Sequence, residues 1–354
     1  MTPPPTCSDN NNAARPYHVI LCAMKDIKGL LAANAANQFL TPRGVKLTII
    51  LGQNPPKSEG AMLAAKMLGY HEYSCWFDAN DGYLASLQRE ENHCEQRNST
   101  TADGGNAFFT FEEMQKRGID VIFLEKTINH PSNLEMIRRL APDVMLSARF
   151  LQIFKAPVIS IPTHGILNMH PGALPYYRGL YVDVRAMMRK LDFATTTVHE
   201  VDTGIDTGTF IDEYPFPVHL NKSLFWHRLN MDLAGLNIMF QHVMKLSGLI
   251  PDDGVARKTK DYRAHGEGEY FTYPNAEEWQ QFQDMGLKLY DESDIDFVKG
   301  LFDKRLPNAV RMFTVSSKGE AATEDTTTSS SQKENIQNDQ SCYQRADRLI
   351  STRS

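Results

Sequence analysis

The chain has 354 residues, with 37 Lys and Arg against 43 Asp and Glu, and therefore a net charge of −6 and a pI near 6.0. Its length allows two average domains or one larger α/β domain with extensions, and its hydrophobic fraction of 42% is ordinary for a globular protein. The acidic balance argues against a protein that grips nucleic acid electrostatically, so no nucleic-acid partner is expected.

The cysteines and the chain's N-terminal segment further restrict the class of protein. Five cysteines without a CxxC pair indicate free thiols rather than a disulfide framework or a zinc site. These are Cys7, Cys22, Cys75, Cys94 and Cys342. Residues 1–16 are rich in Pro and Asn and predict a disordered leader. Without a signal-like segment or a membrane-length apolar run, the sequence predicts a cytoplasmic protein with no membrane partner.

Short apolar runs alternate with amphipathic stretches at the start of the chain. Residues 17–24 (YHVILCAM) and 45–51 (VKLTIIL) predict buried strands, and the stretch between them predicts a helix. A strand–helix–strand unit is typical of a parallel sheet with right-handed crossovers. A helix is predicted at 59–68, followed by a polar insertion over 70–106.

Regular alternation resumes after the insertion. Helices are predicted at 111–117, 132–140 (with Ser132 as a possible N-cap), 181–191 and 223–246. Strands are predicted at 120–124, 143–147, 166–170 and 195–201, and another begins at 208–212.

The predicted fold is therefore α/β: an open, mostly parallel, Rossmann-like sheet with helices on both faces and a small C-terminal appendage. The predicted catalytic domain spans 17–250. Residues 251–315 predict an appendage of loops and short helices, in which Asn275 could cap a helix, and 316–354 predict a disordered tail.

The stretch 166–211 contains the candidate chemistry. Asn168 and His170 lie two positions apart on a predicted strand, so their side chains share one face. Pro171 ends that strand, which places both residues at the carboxyl edge of the sheet, where open α/β sheets bind ligands. Asp206 follows on a loop flanked by glycines.

These residue types suit acyl transfer. The Asn168 amide can donate to a carbonyl oxygen that becomes negatively charged, and the His170 imidazole, with an ordinary pKa of roughly 6.5, can move protons near neutral pH. Asp206 could orient that imidazole and accept a proton through water. From residue types alone, a structural role as hydrogen-bonded buried groups stays open.

A set of ordered motifs carries a resemblance. They are Asn168-Met169-His170-Pro171-Gly172, Leu174-Pro175, Tyr177-Arg178-Gly179, Val198-His199 and Ile205-Asp206-Thr207-Gly208. Together they resemble the formyltransferase family that uses 10-formyltetrahydrofolate. Members of that family include phosphoribosylglycinamide formyltransferase, the catalytic domain of methionyl-tRNA formyltransferase and sugar N-formyltransferases. The resemblance covers about 17–246, and its specific part lies between 143 and 211.

The resemblance implies roles by position. Asn168, His170 and Asp206 match the family's catalytic residues, and His199 matches a supporting histidine, for which a packing role is the alternative. The implied folate-binding residues are Ala148, Arg149, Phe150, Leu151, Val201, Asp202, Thr203, Gly204 and Ile205. For the first four, a plain strand-to-helix junction is the alternative. The implied donor is 10-formyltetrahydrofolate and no metal is expected, with direct formyl transfer to a small-molecule amine and no covalent enzyme intermediate.

The motifs do not identify the molecule that accepts the formyl group. The form Pro175-Tyr176-Tyr177-Arg178-Gly179 is closest to sugar N-formyltransferases and favours an amino sugar. Residues 23–29 lack the glycine-rich phosphate loop of phosphoribosylglycinamide enzymes, although Lys25 and Lys28 could still meet a phosphate, so a divergent enzyme of that type is the alternative. The polar tail and acidic charge argue against a tRNA-gripping domain.

Two other classes are weighed. A non-catalytic folate-binding protein would keep the fold and lose the transfer, and the intact Asn/His/Asp set speaks against it. A Rossmann dehydrogenase would need a GxGxxG segment after a strand, and the sequence has none.

Overall fold

The computed structural model describes residues 15–52, 58–64, 67, 109–252, 268–291, 293–294 and 297. The predicted insertion at 70–106 lies outside the described residues, as do the tail at 316–354 and most of the leader at 1–16.

Strands form in nine places within the described part: β1 His18–Met24, β2 Lys46–Gly52, β3 Asp120–Phe123, β4 Val144–Ser147, β5 Ile166–His170, β6 Tyr177–Gly179, β7 Phe193–Glu200, β8 Phe210–Pro217 and β9 Glu269–Phe271. The α-helices there are α1 Ile27–Leu40, α2 Glu59–Ala64, α3 Phe111–Lys116, α4 Pro131–Leu140, α5 Ala156–Ile159, α6 Val182–Met188, α7 Leu224–Leu246 and α8 Ala276–Asp284.

Seven strands form one sheet in the order β3-β2-β1-β4-β5-β7-β8. The strands from β3 to β5 are parallel, whereas β7 runs antiparallel to β5 and β8 runs antiparallel to β7. The predicted open, mostly parallel sheet is confirmed. A second sheet pairs β6 with β9 in parallel, and the sequence analysis did not predict it.

Helices cover both faces of the large sheet, as predicted, because β1 is apolar on each side. Leu21 packs in the cluster that contains residues of α1 and α7, and its neighbour Ile20 packs in the cluster that contains residues of α4 and α5. Cys22, on the same face as Ile20, is a free and fully buried thiol whose pKa is raised by burial. The other four cysteines lie outside the described residues.

Helix ends differ from the sequence prediction where backbone conformation decides them. Helix α4 is capped by His130, whose side chain accepts from the Ser132 backbone N–H, so the Ser132 cap was wrong. Helix α6 is shorter than predicted at both ends, because Tyr181 (φ 55°) and Lys190 (φ 51°) are left-handed. The Asn275 cap is confirmed by its bond from the Glu278 N–H at 2.8 Å.

Candidate active site

The candidate site lies where the sheet changes from parallel to antiparallel pairing. Strand β5 ends in Asn168 and His170, and in its pairing with β7 Asn168 lies opposite His199. The loop between β7 and β8 brings Asp206 back to the same edge. Three predicted catalytic residues and the supporting histidine therefore meet, although they come from three segments of the chain.

His170 is buried and bounded by oxygen atoms on both ring nitrogens. Its Nε2 lies 2.7 Å from the carbonyl oxygen of Tyr177, which can only accept, so Nε2–H is the donor. Its Nδ1 lies 3.4 Å from Asp206 Oδ2. One edge of the ring is thus held by a hydrogen bond, and a carboxylate lies close to the other edge.

Asp206 is held in an unusual backbone conformation. Its φ is 54°, a left-handed value that Asp tolerates better than most residues. The Oδ2 atom accepts a hydrogen bond from the Gly179 N–H at 2.9 Å, and Oδ1 lies 3.7 Å from His199 Nε2. The carboxylate therefore stands between the two histidines, with one backbone donor fixing it.

His199 connects Asn168 to this carboxylate. Its Nδ1 donates to the Glu200 carbonyl at 2.7 Å, so Nε2 is left to accept from the Asn168 amide at 3.1 Å. Burial lowers the pKa of His199, as does the nearby His170, while the Asp206 carboxylate opposes them. The neutral form that results is the one that can accept from Asn168.

The turn after β5 depends on two residues that sequence analysis did not single out as site residues. A Cβ on Gly172 would lie 2.6 Å from the Tyr177 oxygen and 2.7 Å from His170 Nε2, so only glycine leaves room for their hydrogen bond. The fully buried Thr197 donates to the Gly172 carbonyl at 2.7 Å. In the sequence, Thr197 was only one residue of the strand predicted at 195–201.

A cavity of about 140 Å³ opens beside Asn168 and Asp206. It is lined by Ser147, Phe150, Gln152, Ile153, Phe154, Asn168, His199, Val201, Asp202, Gly204, Ile205 and Asp206. Five of the nine predicted folate-binding residues are in this lining: Phe150, Val201, Asp202, Gly204 and Ile205.

The other four predicted folate-binding residues lie outside the lining. Ala148 is fully buried in the core and Leu151 is exposed. Thr203 is exposed on the loop. Arg149 forms an ion pair at 3.1 Å with the buried Asp26, which also caps helix α1. Arg149 thus joins the end of β4 to the start of α1, a contact that sequence reasoning missed.

The cavity suits a flat heterocycle with polar edges. Phe150, Phe154 and Ile205 supply apolar surface, while Gln152 and Asn168 supply amide groups. Its volume is below the roughly 300–1,000 Å³ of pockets that enclose drug-sized ligands, so it would enclose one ring system and leave the rest of a larger ligand outside.

A larger cavity, of about 350 Å³, contains none of the predicted site residues. Its lining includes Arg15, Tyr17, Arg43 and Asp143. Arg15 is already paired with Asp143 at 2.6 Å, and His18, at the amino end of β1, donates its backbone N–H to the same carboxylate. We therefore place the chemistry in the smaller cavity beside β5.

No group of three or more His, Cys, Asp or Glu side chains in the described part of the chain is arranged to hold a metal ion. No helix there has both the length and the apolar character needed to cross a membrane.

The candidate site places Asn, two His and Asp together at one edge of an α/β sheet, and comparison with known proteins shows what this chain is similar to. The family model described as formyl transferase matches residues 88–224, a range that includes β5, the turn after it and the Asp206 loop. Over this range the chain is similar to the formyl transferase family.

Curated relatives show the same similarity. The chain is 30% identical over 132 residues to methionyl-tRNA formyltransferase of Halorhodospira halophila, covering 36% of this chain and 43% of that one. It is 26% identical over 157 residues to methionyl-tRNA formyltransferase of Chromobacterium violaceum, covering 43% and 51%. The chain therefore spans about half the length of the curated relatives it matches.

A solved structure is also similar. Glycinamide ribonucleotide transformylase 1 from Symbiobacterium toebii is 15% identical, with a TM-score of 0.43, over 68% of this chain and 92% of that one.

Proposed function

We propose that this protein is an N-formyltransferase that moves the formyl group of 10-formyltetrahydrofolate to the amine of a small molecule. The observation that carries the proposal is the connected set Asn168–His199–Asp206–His170 beside an aromatic-lined cavity. Similarity to the formyl transferase family supports the reaction class, and the contacts support a role for each side chain.

The cavity would hold the donor's ring system. Phe150 and Phe154 stack on each other, with ring centroids 5.3 Å apart, and form one wall. Val201 and Ile205, from the segment between β7 and β8, also line the cavity. When bound, 10-formyltetrahydrofolate supplies an activated formyl group.

Asn168 would act on the formyl oxygen. Its amide donates one hydrogen to His199 Nε2, and this bond fixes the direction of the second N–H. A fixed donor aimed at an oxygen that gains negative charge is typically worth about 10²–10³ in rate.

His170 and Asp206 would handle the proton. The acceptor's amine nitrogen forms a bond to the formyl carbon, the bond from that carbon to the donor nitrogen breaks, and the amine proton is transferred to the donor nitrogen. Asp206 lies close to the Nδ1 edge of His170 and can accept this proton and return it, directly or through water. The Gly179 N–H keeps the carboxylate in place during the exchange.

The charges around the site favour a small acceptor. Arg189 and Arg185 each form two hydrogen bonds to a carboxylate, from Glu269 and Glu278 respectively. Lys28 is buried against Asp232 at 3.1 Å. These three basic side chains are already paired with carboxylates, which supports a small amine rather than a polyanion as the acceptor. An amino sugar is the amine that the Pro175–Gly179 motif favours.

Two other acceptors are kept as candidates. The names of the curated relatives favour methionyl-tRNA. A divergent phosphoribosylglycinamide enzyme is the other, but Lys28, one of the two lysines available to a phosphate at the start of α1, is already paired with Asp232.

A panel of acceptors tests the proposal. The full chain is incubated with 10-formyltetrahydrofolate and, separately, an amino-sugar nucleotide, glycinamide ribonucleotide and methionyl-tRNA, with release of tetrahydrofolate as the readout. We expect release only with a small amine, in amounts that match the formylated product. Tight folate binding without release for any acceptor would favour a non-catalytic folate-binding protein, and formate release without acceptor would indicate hydrolysis.

A further inference from the structure

The short strand β6 contributes two backbone groups to the proposed active site. The Tyr177 carbonyl accepts from His170 Nε2 at 2.7 Å, and the Gly179 N–H donates to Asp206 Oδ2 at 2.9 Å. Both the proton-transferring histidine and its carboxylate are therefore oriented by a strand of three residues.

Strand β6 is held in turn by β9, which lies about 90 positions later in the chain. Tyr177, Arg178 and Gly179 pair with Glu269, Tyr270 and Phe271 in parallel register. The pairing continues at both ends, since the Glu269 N–H donates to the Tyr176 carbonyl and the Leu180 N–H donates to the Phe271 carbonyl, each at 2.9 Å. A Cβ on Gly179 would lie 2.2 Å from the Phe271 oxygen, so the close approach requires glycine there.

Side chains reinforce this two-stranded sheet, which would be marginal from backbone bonds alone. The rings of Tyr177 and Phe271 stack with centroids 5.7 Å apart and planes 12° apart. Arg189 donates to both carboxylate oxygens of Glu269, at 2.6 and 3.0 Å, and its guanidinium lies 5.3 Å from the Phe271 ring centroid. Arg189 also donates to the Tyr177 hydroxyl at 3.3 Å, so these contacts join the first residue of β6 to both ends of β9.

The segment that follows β9 is anchored in the protein core. Trp279 and Phe282 of helix α8 are buried in a cluster with Val184 and Met187 of helix α6. Arg185 of α6 forms two bonds to Glu278 of α8, at 2.9 and 3.1 Å. Strand β9 therefore precedes a helix that is packed onto α6, and this packing fixes the position of β9 beside β6.

We propose that β9 is a positioning element of the active site: by holding β6, it fixes the two backbone groups that orient His170 and Asp206. The inference rests on the proposed function, because it assigns these residues to the same reaction. It also assigns a catalytic consequence to Phe271, which touches none of the proposed catalytic side chains and lies in the part of the chain that the sequence predicts to be a mere appendage.

The test replaces the stacked ring. Phe271→Ala should lower kcat for formyl transfer about 10- to 100-fold, the scale expected when reacting groups are misplaced by about an ångström, with donor KM changed less than about twofold. Phe271→Tyr, which keeps the stack, should restore kcat. The matched control is Tyr270→Ala, which removes an exposed aromatic ring from the same strand and should leave kcat within about twofold.

A second readout does not depend on activity. The imidazole ¹⁵N resonances of His170, assigned by comparison with His170→Gln, should shift in Phe271→Ala and stay unmoved in Tyr270→Ala. If wild-type protein transfers formyl to no amine, the proposed function fails, yet this comparison still decides whether β9 orients His170.

Unmoved resonances in Phe271→Ala, or equal effects of Phe271→Ala and Tyr270→Ala, would overturn the inference. Should Phe271→Ala not fold, Glu269→Gln weakens the partly exposed Arg189 pair instead. That variant should lower kcat about two- to threefold and shift the same resonances in the same direction, and the inference fails if neither changes.

Discussion

Strands β1 and β7 lie in the same sheet but use burial differently. All seven residues of β1 are buried, and from Val19 to Met24 every side chain is apolar. Strand β7 also buries its central residues, yet Thr196, Thr197 and His199 are polar and each has a specific partner. Strand β1 stabilises the fold by removing apolar surface from water, whereas β7 stabilises it by matching buried donors to acceptors.

The difference separates scaffold from site. An apolar strand tolerates small changes in shape, because its contribution is spread over many contacts. A buried polar strand is selective, because a donor or acceptor that loses its partner is left unsatisfied away from water. In β7, Thr197 bonds to the turn after β5 and His199 bonds to Asn168, so these two hydrogen bonds also set the geometry of the proposed chemistry.

The largest expected effect is on catalysis at the polar edge. Asn168→Ala removes the proposed donor to the formyl oxygen and should lower kcat about 10²–10³-fold. It also leaves the buried His199 Nε2 without its donor, so Tm should fall as well. Steady-state kinetics and thermal unfolding measure the two quantities. His164→Ala is the control, since this exposed histidine lies before the same strand and contacts Tyr17 rather than the site; equal kcat losses in both variants would refute the assignment.

Thr197→Val should affect both stability and catalysis. It leaves the buried Gly172 carbonyl without its donor, which should lower the free energy of unfolding by about 1–3 kcal/mol. It also loosens the turn that positions His170, so kcat should fall about tenfold. Thr197→Ser keeps the donor and should recover most of kcat; failure of that rescue would mean that packing, not the hydrogen bond, matters.

A matched change in β1 should show the opposite pattern. Ile20→Val removes one methylene from a fully buried site and should lower the free energy of unfolding by about 0.5–1.5 kcal/mol. Denaturant unfolding measures the loss, and kcat per folded molecule should not change. A lower kcat in this variant would contradict the claim that β1 contributes to stability and not to the geometry of the site.

The pH dependence of stability is a property that the two strands share. Burial lowers the pKa of His18 and of His199 from the ordinary value of 6.5, although a carbonyl or carboxylate partner opposes this in each case. The unfolded chain therefore binds protons first as pH falls. The stability that each histidine contributes is complete above pH 6.5 and is lost as pH falls through its folded pKa.

Each such group contributes at most about 1.4 kcal/mol per unit of pKa displacement. Denaturant unfolding at pH 7.5 and pH 5.5 should show lower stability at the acidic value. His18→Gln and His199→Gln should each flatten that dependence, and an unchanged slope in both variants would contradict the assignment.

The strands and their polar ends could be predicted from local pattern. β5 begins and ends at the predicted residues, because an apolar run followed by Pro171 marks its end unambiguously. The antiparallel edge was less accessible, since alternation in a single strand does not specify the direction of its partner. The left-handed conformation of Asp206 and the two-stranded β6–β9 sheet depend on contacts between distant segments, which no local pattern contains.

Part of the site could be predicted because some of its residues lie in local motifs, whereas the rest depends on tertiary contacts. Asn168, His170 and Asp206 belong to recognisable motifs, and the structure brings them together. Thr197, Gly172 and Asp26 act through single hydrogen bonds or close approaches that depend on tertiary structure. For Arg149 the motif predicts a contact with folate, whereas in the structure its guanidinium forms an ion pair with Asp26.

The most direct test of the central claim compares His170→Ala with wild-type protein in two measurements: kcat for formyl transfer and the Kd for tetrahydrofolate. His170 is buried and does not line the cavity, so its loss should leave Kd within a few-fold while kcat falls at least about a hundredfold. Equal losses in kcat and in folate affinity would show that His170 is a packing residue and would contradict the account.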